Sequence, residues 1–241
     1  MSGHSHWAGI KHKKGVADAK RGMMFSKIAR ILSIAAKDGT DPAMNSKLRI
    51  AIEQARAVNM PSENVERAIK RGTGELESGK LEEFLFEAFG PGKLAIIIEG
   101  ITDNKNRALN EVKRILSQYG GKLAATGSVK WLFYRKGVIT VSLDDNKDIT
   151  KENLELKAIE SEAEDVFWRD NSLDIYTKSE ELEKVKKQIE ARGIKVESAS
   201  LDWVAKEVIS ITDKDKASCQ ELFEALDENE DVQEIYSNLP D

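Results

Sequence analysis

The sequence predicts an α+β fold: an N-terminal three-helix domain, then two small α/β domains of split βαβ, ferredoxin-like type, the third inserted in the second. Three observations predict it. Apolar residues recur at helical spacing, with no strand-like run, up to about residue 72. Beyond residue 80, short apolar runs alternate with helical patterns. Residues 80–135 and 205–241 each offer one helix with flanking strands, too little for a core of their own, so they should pair around an insertion at 136–204. The expected domains are therefore 1–79, 80–135 plus 205–241, and 136–204.

Residues 1–15 mix Gly, Ser, His and Lys without an apolar period and read as an extended arm. From about Val16 to Lys37, Met24, Ile28, Ile31, Leu32 and Ala35 trace a helix stopped by Gly39. Asp41-Pro42 supplies an N-cap and a first helical position for a second helix, with Leu48, Ile52 and Ala55 inward. Asn59-Met60-Pro61 breaks it, and Ser62 caps a third helix with Val65 and Ile69 inward and Lys70-Arg71-Gly72 closing it. After a link at Thr73–Gly79, Leu94–Glu99 reads as a buried strand, Asn104–Tyr119 as a helix with Leu109, Val112 and Leu116 inward, and Ser128–Tyr134 as a strand. Then come strand Val138–Leu143, helix Glu152–Glu162, strand Leu173–Thr177, helix Ser179–Arg192 closed by Gly193, and strand Ile194–Ala199. The chain ends with strand Lys206–Ile211, helix Lys214–Leu226 and strand Val232–Leu239.

With 241 residues, 40% hydrophobic and 33% charged, the chain has the composition of a globular protein with a heavily charged surface. Its one cysteine, Cys219, rules out an intramolecular disulfide and a Cys-based zinc cluster and suits a reducing compartment. The N-terminus lacks a signal-peptide apolar stretch, and the longest apolar run, Leu94–Ile98, is too short for a bilayer; the expectation is a cytoplasmic protein without membrane contact. The net charge of −5 hides a gradient. Residues 1–75 carry 14 Lys+Arg against 7 Asp+Glu, residues 76–144 carry 10 against 8, and residues 145–241 carry 13 against 27. Within residues 1–37, eight cations face only Asp18. Such a local concentration of positive charge is what steers a polyanion.

His4, His6 and His12 are all the histidines, but no acid or thiol stands among them, so no metal site is expected. Asp144, Asn146, Asp148 and Glu155 imitate a calcium loop, yet Ile149 stands where that loop needs glycine. Gly72-Thr73-Gly74 and Gly90-Pro91-Gly92 lack the further residues of a P-loop or dinucleotide fingerprint, and no short catalytic motif appears. The expectations are no catalytic residue, no cofactor and no enzyme. Trp7 and the three histidines, by contrast, alternate with cations, the combination that stacks unpaired bases and holds phosphates. The candidate nucleic-acid-binding set is His4, His6, Trp7, Lys11, His12, Lys13, Lys14, Lys20, Arg21, Lys27 and Arg30.

Several stretches together carry a family resemblance: Gly3-His-Ser-His-Trp7, Ile10-Lys-His-Lys13, Asp18-Ala-Lys-Arg21, Asn59-Met-Pro61, Arg67-Ala-Ile-Lys-Arg-Gly72, Gly90-Pro-Gly92, Thr102-Asp-Asn-Lys-Asn-Arg107 and Gly127-Ser-Val129. The chain closely resembles the YebC/PmpR proteins, whose relatives include a mitochondrial translational activator of a cytochrome oxidase subunit. The resemblance implies a three-domain regulator of gene expression. Some members are regarded as DNA-binding transcriptional regulators; others resemble ribosome-associated translation factors. Two positions depart from the family pattern: His6 stands where Lys is usual, and Lys93 where a second glycine often follows Gly-Pro-Gly. The expected partners are rRNA or tRNA, with the ribosome as the setting, or else DNA, met by a monomer. A metal-dependent enzyme built on the histidines is the remote alternative, disfavoured by the missing ligands.

Overall fold

The computed structural model describes residues 5–6, 18–76 and 79–240, with side chains from Arg21 onward. Its residues divide into two compact units, one within 6–129 and 211–235, the other chiefly 130–210.

In the first unit, strand β1 (Ser5–His6) precedes three helices, α1 (Asp18–Ala35), α2 (Ser46–Ala57) and α3 (Ser62–Gly72). Leu32, Leu48, Ala51 and Ala55 are fully buried between them, joined by Ile28, Ala35, Met60 and Ala68. Small residues set how closely α1 and α3 approach. A Cβ on Gly72 would lie 2.2 Å from the Ser33 carbonyl oxygen, and Ser33 Oγ donates to the Ala68 carbonyl at 2.7 Å. Asn45 ties the end of α1 to the start of α2: Oδ1 accepts the Leu48 N–H, while Nδ2 donates to the carbonyls of Ala35 and Gly39. Two capping expectations are corrected here. Asp41 accepts the Ala43 N–H in a preceding turn and does not cap α2, and Ser62 makes no capping bond, Pro61 being the residue before α3.

The chain then forms the hairpin β2 (Glu82–Phe89) and β3 (Ala95–Thr102), antiparallel from Glu82↔Thr102 to Phe89↔Ala95. Its turn places Gly92 at φ +64° and Lys93 at φ +63°, so a lysine holds a left-handed conformation. Strand β2 was not expected from sequence. Helix α4 (Lys105–Gln118) follows, with Asn104 Oδ1 accepting the Arg107 N–H at 3.1 Å. It buries Ala108, Val112, Ile115 and Leu116, whereas Leu109, expected inward, is 37% exposed. The short β4 (Lys122–Leu123) pairs with β2.

The second unit begins with β5 (Phe133–Ser142), one strand in place of the two expected at 128–134 and 138–143. It continues through α5 (Lys151–Glu160), β6 (Asp165–Arg169), β7 (Ser172–Lys178), α6 (Leu182–Ala191) and β8 (Ser198–Ala205). The four strands form an antiparallel sheet in the order β6-β7-β5-β8. Ile139, Val141, Leu173 and Ile175 pack against Leu154 and Ala158 of α5 and Val185 and Ile189 of α6. Strand β6 was not expected, and β8 replaces the strands expected at 194–199 and 206–211. The chain returns to the first unit with α7 (Asp213–Asp227), which packs against α4, and β9 (Val232–Ser237). The first sheet has the order β1-β9-β3-β2-β4, so its sequence is interrupted by the whole second sheet, as the α+β reading expects.

Cys219 on α7 is fully buried, and burial, reinforced by the charge of Asp215, pushes its thiol up to about 11. At pH 8 the folded chain should resist a disulfide-exchange reagent and react fully only in denaturant. Because the unfolded thiol ionises first, stability should fall as pH rises from its ordinary value of 9.0 toward about 11, read as a drop in urea midpoint that a Cys219→Ser variant lacks.

Candidate nucleic-acid interface

The cations of the helical layer divide into two groups. Lys27 is only 7% exposed: its Nζ donates to the Asp227 carboxylate at 2.8 Å and to the Asp227 carbonyl at 2.7 Å. Arg30 Nη1 reaches the carbonyls of Ile101 and Glu230 and the Asp231 carboxylate. Lys37 caps the Leu81 carbonyl. These three side chains dock the helical layer onto the end of β3, the end of α7 and the segment after it, and the residue before β2.

Asp231 is the centre of that dock. Its side chain is 4% exposed and gathers Arg30, Thr102 Oγ1 at 2.9 Å and Arg107 Nη2 at 3.1 Å. The hydrogen bond and charge of Asp231 hold the Arg107 guanidinium above its ordinary range, with Asp103, 2.7 Å from Arg107, adding a smaller push. Thr102-Asp-Asn-Lys-Asn-Arg107, striking only as a motif in the sequence, thus has a structural role: Thr102 and Arg107 satisfy a buried carboxylate, and Asn104 caps α4.

Among the described side chains, Arg21 and three cations of α3 are exposed. Arg21 is exposed near the start of α1, and Lys20 lies in the first turn of that helix. Arg67, Lys70 and Arg71 on α3 are exposed and stand at i, i+3 and i+4, hence on one stripe. Among the described residues none of these three forms an ion pair. Lys70 and Arg71 occupy the last turn, where the helix dipole favours cations. The sequence reading missed this stripe as a binding element, although its spacing was readable. Of the residues singled out from sequence, His4, Trp7, Lys11, His12, Lys13 and Lys14 lie outside the described residues, and His6 is described only as part of β1.

Family models match almost the full length: the TACO1/YebC protein N-terminal domain over residues 5–75 and the TACO1/YebC second and third domain over residues 81–239. The chain belongs to the TACO1/YebC family. It is 46% identical to a "Probable transcriptional regulatory protein" of Halothermothrix orenii, spanning 100% of this chain and 96% of that one. With a protein of the same name in Persephonella marina the identity is 47%, over 99% and 96% of the two chains. The crystal structure of a conserved hypothetical protein from Aquifex aeolicus superposes with a TM-score of 0.88 at 42% identity, covering 97% of this chain and 96% of that one. For this TACO1/YebC chain, no group of three or more His, Cys, Asp or Glu among the described residues is placed to hold a metal ion, and no described helix is long and apolar enough to cross a membrane.

Removing the Asp231 carboxylate leaves the half-buried Arg30 guanidinium with only the more distant and more exposed carboxylate of Glu230, at 3.5 Å. Asp231→Ala should cost about 3–5 kcal/mol of unfolding free energy, measured by urea denaturation, with Asp231→Asn recovering only part because it still cannot neutralise Arg30. A loss under 1 kcal/mol would show that the network does not hold the helical layer.

Proposed function

We propose that this chain is a non-enzymatic, nucleic-acid-binding regulator of gene expression, with structured RNA on the ribosome as its target, working as a cytoplasmic monomer without cofactor. The observation that carries this reading is the division of the front cations. With Lys27 and Arg30 occupied by acids of the chain, the binding set becomes Lys11, Lys13, Lys14, Lys20 and Arg21, extended by the α3 stripe of Arg67, Lys70 and Arg71. Trp7, His4, His6 and His12 supply ring faces and donors for bases and sugars. Affinity is then dominated by counterion release, and the domain boundaries at 79/80, 135/136 and 204/205 separate this gripping part from two acidic or neutral parts.

A DNA-binding transcriptional regulator is the second reading, favoured by the name that the relatives carry. Against it stands the rear segment of 13 Lys+Arg and 27 Asp+Glu, which repels the flanking phosphates of a long duplex. Ribosome co-sedimentation and duplex binding on one preparation decide between the two. If about five phosphates are neutralised, log affinity should fall against log salt with a slope of about −3.5 to −4.5. Lys13→Ala with Lys14→Ala should flatten the slope by about 1.4 to 1.8, while Trp7→Ala should weaken binding at unchanged slope. An unaltered slope in the double variant removes the arm from the interface.

A further inference from the structure

Helix α5 carries apolar side chains on two faces. Leu154 and Ala158 are fully buried in the core of the second unit, which they share with Leu173 and Ile175 of its sheet. Leu156 and Ile159, by contrast, are 54% and 62% exposed and take no part in that core. Spaced at i and i+3, they lie side by side on the face turned away from it, in line with Glu152 one turn earlier. A surface helix needs one apolar stripe to hold its place. A second stripe left in solvent contributes nothing to the folded chain and marks a contact surface.

The charge around this stripe is mostly of one sign. Residues 151–165 hold six acids, Glu152, Glu155, Glu160, Glu162, Glu164 and Asp165, against the two cations Lys151 and Lys157. Both lysines are engaged elsewhere. Lys151 Nζ donates to the Asp170 carbonyl at 2.9 Å and lies 4.7 Å from the centre of the Trp168 ring, and Lys157 Nζ donates to the Arg192 carbonyl at 3.1 Å. Three further cations of the unit offset acids at the far end, Arg192 with Glu160 at 3.8 Å, Lys184 with Glu162, and Lys136 with Glu164 at 3.2 Å. Among the described residues, Glu152 and Glu155 form no ion pair; Glu155 instead accepts the Trp168 indole N–H.

An apolar stripe beside uncompensated acids selects its occupant. Glu152 and Glu155 repel the phosphates of nucleic acid and of anionic lipid headgroups, and a second copy of the chain would, by two-fold symmetry, set the same acids against each other. A helix bearing apolar side chains between lysines or arginines matches both features at once. We infer that the outer face of α5 is a docking surface for a basic amphipathic segment of another protein, with Leu156 and Ile159 taking its apolar side chains and Glu152 and Glu155 its cations. The inference goes beyond the nucleic-acid reading, does not rest on it, and gives a partner to the acidic part of the chain.

The test uses the full chain and labelled helical peptides of about eighteen residues, read by fluorescence anisotropy. One peptide has a leucine stripe flanked by lysines, a second has those lysines replaced by glutamates, and a third has the leucines replaced by serines. The basic leucine peptide should bind about tenfold or more tightly than either control. Leu156→Gln with Ile159→Gln should weaken it about tenfold or more at an unchanged urea midpoint. Glu152→Gln with Glu155→Gln should weaken it about threefold at low salt, a difference that closes as salt is raised. A parent with no preference for the basic leucine peptide, or an affinity within about twofold of the parent in Leu156→Gln with Ile159→Gln, overturns the docking surface. So does a parent that sediments as a dimer which the same variant abolishes, since a second copy then covers the stripe. Loss of duplex binding in that variant overturns it too, in favour of nucleic acid.

Discussion

The Asp231 carboxylate is the constraint on which the rest of the first unit depends. A buried carboxylate is tolerated only when its charge is compensated and its lone pairs are occupied, and here Arg30, Thr102 and Arg107 do both. Those three partners come from α1, the end of β3 and the start of α4, while Asp231 itself precedes β9. Four segments separated by up to 201 residues therefore share one charge centre. The Ile101 N–H donates to the Asp231 carbonyl at 2.8 Å, so backbone and side chain fix the same place.

That centre determines what the front of the chain can do. Lys27 and Arg30 hold α1 against the end of β3, the end of α7 and the segment after it, while the α3 stripe of Arg67, Lys70 and Arg71 is exposed. In the proposed function, a helix docked through some of its own cations presents the others at a fixed spacing, which lowers the ordering cost of binding. Glu87 plays a comparable part on β2, where its carboxylate accepts the N–H groups of Gly127 and Val129 and fixes the segment that leads into the second unit.

How much of this was legible follows from how local each signal was. The three helices, α4, α5, α6 and α7 each announced themselves through apolar period and terminal residues, and the bounds moved by only a few positions. Strand β2 was hidden because Glu82, Glu83 and Glu87 interrupt its apolar pattern, and nothing near Glu87 in sequence reveals that two backbone N–H groups will receive it. Arg135-Lys136-Gly137 looked like a break between strands, but β5 runs straight through, paired on both sides at Gly137 by Thr177 and Leu201. The phase error at Leu109 came from choosing large apolar residues over Ala108, which is the buried one. At the candidate interface, composition could not sort the positive charge, because the acids that engage Lys27 and Arg30 lie 200 positions away.

The central claim is that the front cations divide between holding the fold and meeting phosphate. It is tested most directly by measuring both unfolding free energy and the salt dependence of nucleic-acid binding for Arg30→Gln and for Arg71→Gln. The division predicts that Arg30→Gln lowers stability by several kcal/mol with an unchanged salt slope, and that Arg71→Gln flattens the slope by up to about 0.9 with stability within about 0.5 kcal/mol of the parent. The reverse pattern, a flattened slope from Arg30→Gln without loss of stability, would contradict it.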